Sequence, residues 1–354
     1  MVLNRSSFQI GLTAVVLLVL LRVTIGWHFL YEGIWKIANS DTFSAEPFLT
    51  QAKGPFAPLF YAMIPDIDGR QRLQVVKDES GGQMVQAPAY ARAWDKALDR
   101  FAAYYRLDEK QRKQAEQIRD RYEKSLETYL AENREAILGY FDSLGRFERE
   151  EKGSRNQGAH FQKERLWERQ QALRAEVNGW LRAMDAMGAH YWTALYEEVL
   201  SPEQKGRGHL KVALVETQYL PVPVPFVATR SDLLNKTVTY ALTLIGLGLM
   251  VGCLTRLAAL GGAGFLAFVV MTQWPWPTVV PKTPEIVGHA LLVDKNFVEM
   301  MALLALAALP VGRWAGLDYF LYHWVCLPLR NMCGCCSKRC SPAAKNAGEE
   351  AASA

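Results

Sequence analysis

Four ionisable side chains lie in an otherwise apolar stretch near the start of the sequence, namely Arg22, His28, Glu32 and Lys36. The last three recur every four residues, so a helix would place them on one face. Ionisable groups at membrane depth are energetically costly and usually functional, and histidine is the residue type that exchanges protons near neutral pH. The pattern predicts a polar pocket within a bundle of helices, with His28 as its proton carrier.

Arg22 is the member of this set that most needs a partner. An uninterrupted apolar run from Ile10 to Leu21 precedes it. This run places Arg22 roughly 18 Å along a helix, beyond the middle of a ~30 Å hydrocarbon core. Glu32 cannot reach it along the same helix, so we expect Arg22 to bind another helix, a backbone carbonyl or water. Glu299, near the start of a later apolar run, is a natural acidic partner for the first helix, although it could instead complement a helix dipole.

Lys36 has a second interpretation, because aromatic residues surround it. Trp27, Tyr31 and Trp35 form a stripe beside the charged face. Such residues lie at the headgroup level of a membrane, where a lysine extends its amine towards water. The sequence leaves both interpretations of Lys36 open.

The apolar runs predict four membrane-spanning helices. The first run lacks a small-x-small cleavage site, so we interpret it as an uncleaved signal anchor. The other three are 238–254, 257–272 and 297–311, and the segment from 316 to 329 suits an interfacial helix. Basic residues in short flanks favour the cytoplasm. The resulting prediction is a multi-pass protein of a bacterial inner membrane with both termini cytoplasmic and residues 39–235 extracytoplasmic.

The predicted fold class is all-α, a four-helix transmembrane bundle with a large extracytoplasmic helical insertion. The predicted segments are the first transmembrane helix (1–38), an irregular loop region (39–86), a helical domain (87–220), a proline-rich linker (221–235), transmembrane helices two to four (236–312), and an interfacial helix with a cysteine-containing tail (313–354).

Two helix-start signals lie in the insertion. Asp108 with Gln111, and Ser201 with Gln204, have the spacing of capping boxes. The first predicts a long helix with an apolar stripe reaching Phe141, and a second long helix is predicted from about 160 to 199. The two Leu-(Asp or Ser)-x-x-Gln units resemble the LTxxQ pattern of helical periplasmic proteins of the Spy and CpxP type. The many charges around them are most simply a solvated surface.

Composition excludes several functional classes. The net charge of +4 is small and mixed in sign, so we predict no nucleic-acid partner. No nucleotide-binding, metalloprotease or catalytic-triad motif is present. All six cysteines lie in or beyond the second apolar helix. We predict no metal site, because the compact tail cluster lacks the paired spacing of a zinc module and leaves only weak candidate ligands, Cys333, Cys335, Cys336 and Cys340.

Three motifs together carry a family resemblance. They are Arg22, Gly26, Phe29, Gly33 and Lys36 in the first helix, Gly-Leu-Gly-x-x-x-Gly-Cys-Leu-Thr-Arg from 246 to 256, and Gly-Arg-Trp-Ala-Gly-Leu-Asp from 312 to 318. In this order they resemble the DoxX family, which includes the DoxD subunit of thiosulfate:quinone oxidoreductase. The resemblance covers roughly 10–38 and 236–320. It implies a four-helix membrane fold and membrane-linked redox work with quinones or sulfur compounds; the long insertion departs from compact members.

Two functions therefore remain open. In the first, the chain is an oxidoreductase subunit, and the pocket of Arg22, His28, Glu32, Lys36 and Glu299 holds a quinone headgroup or passes protons. A bound cofactor or a protein partner subunit must then handle the electrons. In the second, the bundle is a non-catalytic anchor in the lipid bilayer. It then presents a helical extracytoplasmic domain that binds proteins or acts like a chaperone.

Overall fold

The structure is a computed structural model that describes residues 11–77, 81–154, 160–222, 224–273 and 293–326. The described part is mostly helical, which confirms the all-α prediction at that level. Up to residue 132 its elements are α1 (Leu12–Ala38), α2 (Glu46–Thr50), α3 (Ala57–Tyr61), β1 (Gln74–Lys77), β2 (Gln83–Gln86), α4 (Pro88–Tyr105) and α5 (Glu109–Glu132). They are followed by α6 (Arg134–Ser154), α7 (His160–Ala194), α8 (Pro202–Lys205), α9 (Arg230–Val251), α10 (Thr255–Thr272), α11 (Lys295–Ala308), α12 (Val311–Trp314) and α13 (Asp318–Leu321).

Within the described ranges, three helices are long and apolar enough to cross a membrane, namely α1, α9 and α10. They support the prediction of a membrane protein. The fourth predicted span coincides with α11, which has 14 residues and is the shortest of the four. A four-helix transmembrane bundle therefore stays a prediction.

The chain divides into two compact units. Among the described residues, the first unit comprises 11–37, 240–266 and 298–326, and we call it the apolar unit. The second comprises 38–239 and 267–297 apart from the residues outside the described ranges, and we call it the charged unit.

Glycine brings the helices of the apolar unit into close contact. A Cβ atom added to Gly26 in α1 would lie 2.8 Å from the backbone nitrogen of Met250 in α9, and one added to Gly33 would lie 2.7 Å from that of Thr243. Gly246 of α9 meets the backbone of Leu30 in the same way. All of these contacts lie beyond Arg22. None of the described residues that precede Arg22 is buried. Small residues at such crossings are typical of helices that pack in lipid.

The charged unit has an aromatic core between α4, α5, α6 and α7. Its largest fully buried side chains include Trp94, Tyr90, Tyr140 and Tyr191. The sequence predicted one helix through Phe141, but α5 ends at Glu132 and α6 begins at Arg134. At the break, Asn133 donates a side-chain hydrogen bond to the carbonyl of Tyr129 at 2.8 Å. Asparagine side chains compete in this way with the hydrogen bonds of a continuing helix.

Both predicted capping boxes are confirmed. The Asp108 side chain accepts a hydrogen bond from the backbone amide of Gln111, and the Gln111 side chain accepts one from the backbone amide of Asp108. Ser201 and Gln204 form the same two hydrogen bonds. The second long helix is α7, which continues as one wider turn from Leu195 to Val199. The helix started by Ser201, α8, has only four residues.

The region predicted to be an irregular loop contains short elements. Two helical turns, α2 and α3, surround a small cluster in which the rings of Phe60 and Phe268 are 4.8 Å apart. The antiparallel hairpin of β1 and β2, in which Gln74 faces Gln86, was not predicted from the sequence. The predicted proline-rich linker at 221–235 is helical over its last residues, because α9 begins at Arg230, earlier than the predicted span at 238.

Candidate functional site

His28 and Glu299 form a direct contact between α1 and α11. His28 Nδ1 lies 2.9 Å from Glu299 Oε1. The side chain of His28 is 59% exposed and that of Glu299 is 19% exposed. The carboxylate is therefore largely enclosed by protein, while a ligand could reach the imidazole. A carboxylate that fixes one ring nitrogen orients the other for proton exchange.

Glu32 and Lys36 form a separate ion pair on the next two turns of α1. Lys36 Nζ donates to Glu32 Oε2 at 2.8 Å. The lysine also lies over the ring of Trp35, 5.9 Å from its centroid. This arrangement suits both interpretations from the sequence, a polar lining or an interfacial anchor.

Arg22 is the most deeply buried of the predicted residues, at 2% exposure. Its guanidinium donates to the carbonyl of Ala315 at 2.7 Å and to that of Val311 at 3.5 Å. Of the partners that the sequence left open, a backbone carbonyl is the one observed. Arg22 also lies next to Gly252, in the turn between α9 and α10, and interacts electrostatically with Asp318.

The five predicted residues thus occupy three places: Arg22 alone, the His28–Glu299 pair between α1 and α11, and the Glu32–Lys36 pair on α1. Arg22 lies at the level of the α9–α10 turn, His28 is about 9 Å further along the helix, and Glu32 and Lys36 follow at steps of about 6 Å. The structure brings His28 to Glu299 and Lys36 to Glu32. Arg22 belongs to neither pair.

Asp318 is a structural residue that the sequence analysis missed in this role. Its carboxylate accepts from the backbone amides of Leu254 at 2.7 Å and Thr255 at 2.9 Å. It therefore caps the N-terminus of α10 from a distant part of the chain. The contact also needs Gly252 at φ +68° and Gly316, whose added Cβ would lie 2.8 Å from Gly252 Cα. One signal in the sequence pointed to a distant cap. The residue before Thr255, where α10 begins, is a leucine and has no side chain able to cap a helix.

A second polar cluster lies inside the charged unit, and it too was missed. Arg72 reaches Asp66 at 3.3 Å and Asp185 at 3.5 Å, and the Tyr90 hydroxyl donates to Asp185 at 2.7 Å. Burial raises the pKa of the Asp185 carboxyl, opposed by the positive charge of Arg72. Burial likewise raises the pKa of the Tyr90 hydroxyl. The cluster ties the loop at 66–72 to α4 and α7, so its role is structural.

The two glutamines of the capping boxes bind each other. Gln111 Nε2 donates to Gln204 Oε1 at 2.9 Å, and Gln204 Nε2 reaches Gln111 Oε1 at 3.2 Å. Gln111 also donates to the carbonyl of Val199, and Gln204 to that of Tyr105. The two motifs that looked alike in the sequence therefore form one joint between α5 and the end of α7.

The described residues contain no group of three side chains able to hold a metal ion. Cys253 has a free thiol, whereas Cys333, Cys335, Cys336 and Cys340 lie outside the described residues. Comparison with family models, curated proteins and solved structures gave no match for this chain.

Proposed function

We propose that this chain is a membrane-embedded accessory subunit of an oxidoreductase system that uses a quinone or a sulfur compound. In the quinone form of the proposal, His28 and Glu299 exchange protons with the headgroup. The observation that carries it is the 2.9 Å contact between an exposed imidazole and an enclosed carboxylate on two apolar helices. Ionisable pairs in such helices are costly and commonly belong to proton pathways.

The chemistry requires a second component. Reducing a quinone to a quinol consumes two electrons and two protons. His28 and Glu299 move protons only, so the electrons must come from a bound cofactor or from a partner subunit. This requirement makes the proposed role that of a subunit rather than of a complete enzyme.

The proposal includes a DoxX-like bundle of α1, α9, α10 and α11 in a bacterial inner membrane. Both termini are then cytoplasmic, and residues 39–235 are extracytoplasmic. Arg256 and Arg313 support this orientation because they line one cavity at the α9–α10 turn. Clustered arginine at one end of a bundle favours the cytoplasmic side.

Quinol-linked electron transfer in membranes tests the proposal. We expect His28→Ala and Glu299→Gln each to lower the rate about 100-fold or more, the usual contribution of a general acid or base. His323→Ala is the matched control. This histidine belongs to the same unit and is exposed, and within the described chain its hydrogen-bond partner is the carbonyl of Tyr319. Full activity in both variants at equal expression would reject the proposal.

A second candidate function is a non-catalytic anchor that presents a helical extracytoplasmic domain, which binds proteins or holds unfolded chains as a chaperone does. It is favoured by the size of the aromatic core in the charged unit, which is far larger than a connecting loop needs. Deleting 87–210 while keeping the flanking segments should then abolish partner capture and leave membrane insertion intact. Recovery of the same partners by the truncated protein would reject this function.

A further inference from the structure

A cavity of about 270 Å³ opens at the end of the apolar unit where α9 turns into α10. Its walls combine four leucines with two arginines. The residues that matter here are Leu254, Arg256, Leu257, Leu309, Arg313 and Tyr322. The cavity is separate from the His28–Glu299 pair, and the proposed electron-transfer role makes no use of it.

The two arginines give the cavity an uncompensated positive charge. Neither Arg256 nor Arg313 forms an ion pair with an acidic side chain in the part of the chain that the structure describes. The Arg313 guanidinium is held over the ring of Tyr322, 3.8 Å from its centroid. Ordered in this way, it loses less conformational freedom when it binds an anion.

Asp318, the acidic residue in the wall, does not cancel this charge. Its two carboxylate oxygens accept from the amides of Leu254 and Thr255, and Arg22 lies within electrostatic range behind it. Asp318 therefore occupies the amides of Leu254 and Thr255 and is held away from the guanidinium groups. The cationic side chains that line the cavity, Arg256 and Arg313, are the groups available to bind an anion.

The shape and lining indicate the class of anion. Arginine binds phosphate oxygens with its planar fork of donors. The leucine walls favour a ligand that has an apolar part as well, which free phosphate lacks. The volume is slightly below the ~300 Å³ at which small-molecule sites begin, enough for a headgroup but not for acyl chains. Basic cavities between membrane helices bind lipid headgroups in this way.

We propose that this cavity binds the phosphate of an anionic phospholipid, with Arg256 and Arg313 as its ligands and the leucines against the first carbons of the lipid. The site would fix a lipid at one end of the bundle. It stands whether or not His28 and Glu299 take part in electron transfer.

Native mass spectrometry of the full-length protein in detergent tests the site. Three soluble probes are titrated separately: dihexanoyl phosphatidylglycerol, dihexanoyl phosphatidylcholine and inorganic phosphate. We expect the phosphatidylglycerol to bind most tightly. The double variant Arg256→Gln with Arg313→Gln should weaken it roughly 30-fold, since each basic residue near lipid phosphates contributes about a factor of five.

Two further variants separate a binding role from a folding role. Arg230→Gln removes an exposed arginine from the opposite end of α9 and should leave the affinity unchanged. Arg256→Lys with Arg313→Lys keeps both charges and should retain most of the affinity. Equal affinity of the glutamine double variant and the unmodified protein would overturn the proposal. So would inorganic phosphate or phosphatidylcholine binding as tightly as phosphatidylglycerol.

Discussion

Helices of the apolar unit meet backbone to backbone at glycines, whereas those of the charged unit are held apart by large aromatic side chains. Gly26 and Gly33 allow α1 to touch α9, while Trp94 and Tyr191 fill the space between α4 and α7 with rings 5.1 Å apart. Lipid provides no hydrophobic force between apolar helices, so close contact must hold them. In water, burial of large apolar side chains stabilises the contact directly.

The polar groups at the α9–α10 end of the apolar unit differ from the surface pairs of the charged unit. The buried guanidinium of Arg22 and the carboxylate of Asp318 bind backbone carbonyls and amides. In the charged unit, pairs such as Arg92 with Glu216 join side chains at the surface. Helix ends carry backbone amides and carbonyls without partners inside the helix. Where water is absent, these groups can bind buried polar side chains.

The largest expected effect comes from the aromatic core. Trp94→Ala should destabilise the charged unit by about 3–5 kcal/mol, because it leaves a cavity where a fully buried indole was. Hydrogen exchange of peptides from α4 and α7 in the full-length protein measures the loss. Phe161→Ala, at a ring that is 57% exposed, should change the same protection by less than about 0.5 kcal/mol. Similar effects of both changes would mean that the core does not carry the stability.

The second prediction concerns a large side chain added to the apolar unit, whereas the first removes one from the charged unit. Gly26→Leu should destabilise the contact of α1 with α9 by about 1–3 kcal/mol, because the added side chain meets the backbone of α9. Resistance of the purified protein to unfolding in denaturing detergent is the measurement. Gly264→Leu is the matched control, since an added Cβ there has no atom within 4 Å. If the two variants unfolded alike, close contact at glycine would not stabilise the apolar unit.

The third prediction concerns the distant cap of α10. Asp318→Ala removes the acceptor of two backbone amides and should cost about 1–2 kcal/mol, as at other helix N-termini. Asp318→Asn keeps one acceptor oxygen and should cost less. The same detergent unfolding assay ranks the variants, and an alanine variant as stable as the unmodified protein would show that the cap is dispensable.

The smallest expected effect is at the surface of the charged unit. Hydrogen bonds from Arg92, and then from Lys96, hold the pKa of Glu216 below its ordinary value of 4.5. A lowered pKa means that this stabilisation is complete above the ordinary value and is lost as the pH falls through the folded-state value. Surface pairs contribute little to stability and are screened by salt. Protection against hydrogen exchange should therefore differ slightly between the unmodified protein and Glu216→Gln at pH 6, and the difference should shrink as the pH is lowered below 4.5. A difference that does not change with pH would contradict the assignment.

Local signals in the sequence predicted much of this structure. The capping boxes at Asp108 and Ser201 were predictable because each joins residues three positions apart. The break at Asn133 was not, since the apolar stripe runs through it. Asp318 was missed because its cap acts across 63 positions of the chain, and no periodic pattern reports such a contact.

The sequence was enough to predict which residues belong to the candidate site, but not how they are arranged in space. Spacing on one helix placed His28, Glu32 and Lys36 on a shared face, which holds. It could not show that Arg22 would turn to carbonyls at the end of the unit, because those carbonyls are almost three hundred residues away. Only Glu299, an isolated acid in an apolar run, gave a signal for a partner on another helix.

Labelling with a photoreactive quinone tests the proposed electron-transfer role most directly. The unmodified full-length protein in membranes is illuminated with the quinone analogue, and the labelled peptides are sequenced by mass spectrometry. We predict labels on the part of α1 that carries His28 and on the start of α11 with Glu299, both removed by excess unlabelled quinone. Labels confined to other segments, or labelling that excess quinone does not reduce, would contradict the proposal.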